Sequence, residues 1–206
     1  MLKSPITCPY CKLEFLAAVW VDSHCESCGA TYSWSMEFNK DFSDGWHVVE
    51  WNDNRSIYVA TTLSNWRRAR AFIESFKKAG ISIAFDWTKW GEEISLGTSP
   101  RDVDPTSLQQ KALTELAGVT SAAYVLVIAP TGRGTNFELG AAYHRYKTVG
   151  IPIIAILDET EPVAPTSFHY LSGIRRIHSA EEAIADVATY FGVDIKDTDV
   201  DRSQLC

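Results

Sequence analysis

No stretch of 18 consecutive apolar residues occurs in this chain of 206, so the sequence offers no membrane-spanning helix. The opening MLKSPITCPYC also lacks an apolar core of signal-peptide length. Export by that route is not expected, and a cytoplasmic location is. Basic charge is in short supply as well: 19 Lys and Arg against 26 Asp and Glu leave a net charge of −7. That sign lacks the electrostatic footprint of a nucleic-acid binder, yet leaves room for a local basic pocket holding one phosphate. Neither an internal repeat nor a low-complexity stretch interrupts the chain. What is present is an ordinary globular mix, 46% hydrophobic and 22% charged, which excludes a largely disordered chain. The length suits one ordinary domain plus a small module.

The cysteines mark the module. Four of the five are Cys8, Cys11, Cys25 and Cys28, in two C-x-x-C pairs separated by thirteen residues. Each pair can place two thiolates at adjacent corners of a tetrahedron, as Zn²⁺ requires. Gly29 follows the second pair, where a tight turn needs free dihedrals. A structural zinc ion is therefore the expected cofactor. Two disulfides are the alternative, disfavoured without an export signal. Four thiolates fill the coordination sphere, so metal catalysis is not expected here. His24 is a less favoured substitute ligand, and Cys206, the last residue, is expected to be inert. Residues 1–52 carry three lysines against seven carboxylates, a net −4, the wrong sign for tracking phosphates. Their Trp20, Trp34, Trp46 and Trp51 suit a small β core, with an interaction surface as the alternative.

From residue 55 the pattern changes to alternating strands and helices. Apolar runs at Ile57–Ala60, Ile81–Phe85, Tyr124–Ala129, Ile151–Leu157 and Ile174–Ile177 read as strands. Between them, helical spacing or cap residues predict helices from Ser64 to Gly80, Leu108 to Val119 and Asn136 to Tyr146. A capping box at Ser179–Glu182 opens a last helix ending near Tyr190. This alternation predicts an α/β fold: a parallel five-stranded sheet of Rossmann or flavodoxin type with helices on both faces, preceded by the zinc-binding β module. The boundaries are 1–52 for the module, 55–192 for the α/β domain and 193–206 for a polar tail.

In such sheets ligands sit beyond the carboxyl ends of the strands, so the loops there hold the candidate residues. After the first strand, Thr61, Thr62 and Ser64 precede a helix whose first turn carries Arg67, a pattern suited to a phosphate or to plain capping. After the second come Asp86, Trp87 and Trp90, then polar sequence to Thr106, read as a long loop or lid. The tryptophans can stack on a planar base or pack at the sheet edge. After the third come Gly132, Arg133, Gly134 and Asn136, whose glycines admit close approach of a ligand. Glu138 then falls in the first turn of a helix, where the dipole favours the ionised carboxylate that a nucleophile needs. Alternatively Thr135–Glu138 is only a capping box.

Three segments, Ile57–Ala60, Glu115–Val119 and the run Gly134-Thr-Asn-Phe-Glu138-Leu-Gly140-Ala141, resemble the nucleoside 2-deoxyribosyltransferase family and its nucleotide N-glycosidase relatives. The resemblance covers roughly residues 55–177 and leaves out the cysteine module. It implies that Glu138 is the nucleophile on the anomeric carbon. It also implies that Glu115, at the position of the family's aspartate, holds the sugar and handles the leaving base's proton. Two departures bear on the substrate. Ala123 stands where relatives carry an aspartate, and Arg133 stands in a loop that is acidic in enzymes of free nucleosides. With Thr61, Thr62 and Arg67, Arg133 favours a 5′-monophosphate over a nucleoside.

The implied reaction is cleavage or transfer of an N-glycosidic bond in the manner of retaining glycosidases. Two carboxyls about 5 Å apart suit it, the acid with a raised pKa and Glu138 ionised. No organic cofactor is expected. The partners expected are a nucleoside or nucleotide and further copies of the chain, with neither membrane nor nucleic acid. A Toll/interleukin-receptor-type NAD-cleaving enzyme and a non-catalytic nucleotide sensor are the alternatives.

Overall fold

The computed structural model describes residues 3–7, 14–18, 23–24, 31–38, 45–52, 55–95, 103–159 and 167–195. The chain divides into two compact units, Met1–Arg55 and Ser56–Cys206.

In the first unit, β1 (Lys3–Thr7) and β2 (Glu14–Ala18) pair antiparallel. A second, three-stranded antiparallel sheet joins β3 (Ser23–His24), β4 (Thr31–Phe38) and β5 (Gly45–Asn52) in that order. A β module is thus present. Cys8, Cys11, Cys25 and Cys28 lie outside the described residues, and the zinc site with them.

The second unit is an α/β domain. Its strands are β6 (Ser56–Ala60), β7 (Ser82–Ile83), β8 (Tyr124–Ile128), β9 (Ile153–Leu157) and β10 (Ile174–Ile177). All four pairings are parallel, in the order β7-β6-β8-β9-β10. Taken in chain order the strands run 2-1-3-4-5, the flavodoxin-type arrangement. The chain leaves β6 toward β7 on one side and returns to β8 on the other. The strand order therefore reverses between β6 and β8, and their carboxyl ends open the crevice. Every residue of β8 is buried, which is why its sequence is an unbroken apolar run.

The helices follow the expected places with adjusted ends. Trp66, Ala69, Phe72, Ile73 and Phe76 form the buried stripe of α1 (Trp66–Lys78), and Gly80 closes it at φ +81°. Asp104 caps α3 (Pro105–Ser121) by accepting from the N–H groups of Thr106 and Ser107. The helix α4 (Arg133–Val149) begins three residues before Asn136. Ser179 caps α5 (Ala180–Phe191) by accepting from the Glu182 N–H, while Glu182 accepts from the His178 N–H.

One expectation fails. The polar stretch after Asp86 is not loop throughout, because it contains α2 (Thr88–Ser95). Its sequence has a central glycine, which weakens the helix signal, and tertiary clamps hold it. Asp86 accepts from the Thr88 N–H (3.2 Å) and hydroxyl (2.6 Å). Arg70 donates to the Thr88 carbonyl and to Glu92, each at 2.9 Å. Gly91 lies so close to Trp66 that a Cβ there would fall 2.5 Å from the Trp66 Cβ. The second strand is also shorter than expected, Ser82–Ile83 rather than Ile81–Phe85. It is an edge strand with a single partner.

Candidate active site

At the crevice between β6 and β8 lies a cavity of about 270 Å³. Thr61, Thr62 and Leu63 line it from the end of β6, and Gly132, Arg133, Gly134, Thr135 and Glu138 from the loop and start of α4. Trp87 and Trp90 close the α2 side, and Glu115 enters from α3. Thr61 stitches the two strand ends together, its hydroxyl donating to the Ile128 carbonyl at 2.9 Å.

Glu138 is the best-anchored carboxyl of the site. Tyr58, in the middle of β6 and fully buried, donates its hydroxyl to Glu138 Oε1 at 2.5 Å. Burial pushes the Glu138 carboxyl up to about 7; the Tyr58 hydrogen bond opposes that and the charge of Glu115 adds to it. Burial likewise drives the Tyr58 hydroxyl well above the ordinary tyrosine range, helped by Glu138. This differs from the expected permanently ionised nucleophile. Glu138 is the sixth residue of α4, beyond the first turn where the helix dipole would favour the anion. The capping-box alternative falls for the same reason, since the N-cap is Gly132 and Glu138 bonds a tyrosine instead.

Glu115 is half-buried and makes no side-chain hydrogen bond among the described residues. Burial raises its pKa, and Lys111, one helical turn earlier, pulls it back. The two carboxyls thus share one cavity and feel each other's charge, with Glu138 the more deeply buried. Gly118, one turn after Glu115, sets how closely α3 approaches the sheet. A Cβ there would lie 2.6 Å from the Phe85 Cβ and 3.2 Å from the Tyr58 ring.

The start of α4 supplies donors. Gly132 gives no side-chain cap, and the first helical bond runs from Asn136 N–H to the Gly132 carbonyl. The N–H groups of Arg133, Gly134 and Thr135 are left over by the helix, and all three residues line the cavity. The Arg133 side chain is exposed and has no partner among the described residues.

Other expected residues are engaged elsewhere. Trp87 lines the cavity but is 5% exposed, and its indole N–H donates to the Val59 carbonyl at 2.7 Å, so it is a wall more than a stacking platform. Asp86 does not line the cavity; it caps α2 and pairs with Lys77 at 2.8 Å. Arg67 lies over the Trp66 ring at 4.7 Å, and Ser64 shares a hydrogen bond with Thr62 at 3.1 Å. Asn136 is exposed on α4, and none of Ser64, Arg67 and Asn136 lines the cavity. Sequence reasoning missed Tyr58, which an apolar strand run presents as core, and Leu63.

Among family models, curated proteins and solved structures, no match to this chain is found.

Proposed function

We propose that the α/β domain cleaves or transfers the N-glycosidic bond of a (deoxy)nucleoside 5′-monophosphate, or of the nucleoside itself, through Glu138. One observation carries this reading. A carboxyl fixed by Tyr58 and a carboxyl without a hydrogen-bond partner among the described residues, Glu115, meet in one cavity at the point where strand order reverses. The resemblance of the Glu138 segment to deoxyribosyltransferases supplies the chemistry.

In the first step a Glu138 carboxylate oxygen bonds to C1′ while the C1′–N bond breaks and its electron pair leaves with the base. Glu115 delivers a proton to the base nitrogen that receives that pair. In the second step water, or a second base, attacks C1′ from the opposite side, Glu115 takes up the proton that the attacker loses, and Glu138 leaves as carboxylate, with retained configuration. Tyr58 holds the Glu138 oxygen in place and stabilises its charge before attack. Burial sets a protonation order that is the reverse of the working one, because it raises Glu138 the more strongly of the two. The competent state, Glu138 ionised and Glu115 protonated, is then a minor one that bound substrate must favour.

The cavity sits near the lower end of the range for small-molecule sites, about 300–1,000 Å³. It suits one nucleoside unit better than a dinucleotide. The N–H groups that α4 leaves over at its start and Arg133, unpaired among the described residues, suit a 5′-phosphate. A homo-oligomer and a cytoplasmic location belong to the same reading. Phe137 and Leu113, 68% and 53% exposed on the two helices that carry the carboxyls, support the former. The structural zinc ion remains proposed from the spacing of Cys8, Cys11, Cys25 and Cys28. Metal analysis finding much less than one zinc per chain would overturn it.

The test is incubation with nucleosides, their 5′-monophosphates and NAD⁺, with the free base read by chromatography and Glu138→Gln as control. Base release lost in the variant supports the proposal. Nicotinamide release moves the protein to the NAD-cleaving class. Silence with and without an acceptor base leaves a nucleotide sensor as the better reading.

A further inference from the structure

We infer that Lys111 is a positioning residue of this site, coupling the Trp90 wall of the cavity to Glu115. The inference rests on Glu115 being the proton donor of the proposed reaction.

Three observations converge on Lys111. Its ammonium sits 3.0 Å from the centroid of the Trp90 ring. The same ammonium reaches Glu93 of α2 at 3.5 Å. It lies four residues before Glu115 on α3, so the two side chains share one face of the helix. Trp90 and Glu115 both line the cavity, and Lys111 does not.

The physical consequence is a link between wall and acid. A lysine on an open helix face ranges over many rotamers and spends little time near any one partner. Here the indole ring and Glu93 restrict it. The quadrupole of the ring holds a cation best when water is partly excluded, and Lys111 is only partly exposed. A restrained ammonium one turn from Glu115 favours that carboxyl's ionised form. Glu138, which has no comparable neighbour among the described residues, stays the higher of the pair. α2 is itself clamped to α1 through Arg70 and Gly91, so the position of the charge is fixed by the fold.

The sign of the effect on rate follows from the protonation order. With Glu115 titrating below Glu138, the alkaline limb of the pH profile follows Glu138 at about 7. The acid limb follows Glu115. Removing the ammonium raises the carboxyl that it stabilises, so the acid limb moves to higher pH and the alkaline limb stays.

The experiment measures kcat/KM against pH for wild type, Lys111→Met, Lys111→Arg and Trp90→Leu. Lys111→Met should raise the acid limb by about 0.2–0.4 pH unit, the size of a partly exposed helical charge pair. Lys111→Arg should restore it. Trp90→Leu should move it the same way by less, because the ammonium loses its seat. An acid limb unmoved in Lys111→Met or in Trp90→Leu overturns the coupling. Carboxyl carbon-13 NMR keeps this test separate from the proposed activity. The Glu115 resonance, assigned with Glu115→Gln, titrates whether or not any base is released. Its midpoint should rise in Lys111→Met and return in Lys111→Arg. A midpoint the same in all three proteins overturns the inference even in an active enzyme, and a shifted midpoint in an inactive protein supports it while removing the glycosidase.

Discussion

Two tyrosines in the middle of the sheet make the same bond and have different surroundings. Tyr58 on β6 and Tyr124 on β8 are both fully buried, and each donates its hydroxyl to a carboxylate on a helix. The β6–β8 register places Tyr58 opposite Val125 and Tyr124 opposite Ile57, so the two rings lie on opposite faces of the sheet. Tyr124 bonds Asp186 of α5, which Arg175 also holds at 2.8 and 3.1 Å. Tyr58 bonds Glu138, which has no cation beside it among the described residues and faces a cavity with a second carboxyl. The neutralised pair ties a helix to a sheet. The pair without a cation leaves a carboxyl balanced near neutrality, an arrangement that serves chemistry better than stability.

That contrast can be broken in four ways, the largest effect first. Under the proposed reaction, Glu138→Gln should lower base release by about four orders of magnitude, whereas Asp186→Asn should leave it within about threefold. Chromatographic assay of the released base checks both. Equal losses would erase the distinction between the faces.

Stability should show the opposite asymmetry. Glu138 has a folded pKa above its unfolded value, so between about pH 4.5 and 7 the folded state binds more protons than the unfolded. Its contribution to stability therefore falls as pH rises through that window. Glu138→Gln removes the penalty while keeping an acceptor for Tyr58. It should be more stable than wild type by about 2–3 kcal/mol at pH 8 and no different below pH 4. Urea unfolding at the two pH values measures this.

The tyrosines sharpen the comparison further. Tyr58→Phe should cost about 30-fold in kcat/KM, or about 2 kcal/mol, because Glu138 loses its only hydrogen bond among the described residues. Tyr124→Phe should change the rate less than about threefold and lower stability by about 1 kcal/mol. The smallest effect belongs to Arg133→Ala, expected to reduce the preference for a 5′-monophosphate over the nucleoside by about fivefold. Unchanged selectivity would place the phosphate elsewhere or remove it.

Much of this arrangement was legible in the sequence because the central strands are buried on both faces. Tyr124–Ile128 and Ile153–Leu157 announce themselves as apolar runs, and the switch point follows once their order is guessed. The residues that fall short of the reading do so for local reasons. α2 is held by Arg70, Asp86 and a glycine fitted to Trp66, and these partners cannot be read from Thr88–Ser95 itself. Asp86 looks like a ligand residue at a strand end and is used to cap that helix. The place of Glu138 beside the crevice was readable, but its charge was not. Protonation depends on how deeply the chain buries it and on a tyrosine 80 residues away.

Gly118 has a consequence for stereochemistry. Because it has no side chain, α3 rests directly against Phe85 and Tyr58. A larger residue there crowds the Phe85 Cβ and the Tyr58 ring, so the helix shifts outward and Glu115, one turn away, travels with it. Carboxyl pairs about 5–5.5 Å apart give retention at a sugar carbon, and pairs about 6.5–9.5 Å apart admit a water and give inversion. On the proposed chemistry, position 118 is a thickness gauge between the two outcomes, and the anomer of the released sugar reports the width of a helix–sheet contact.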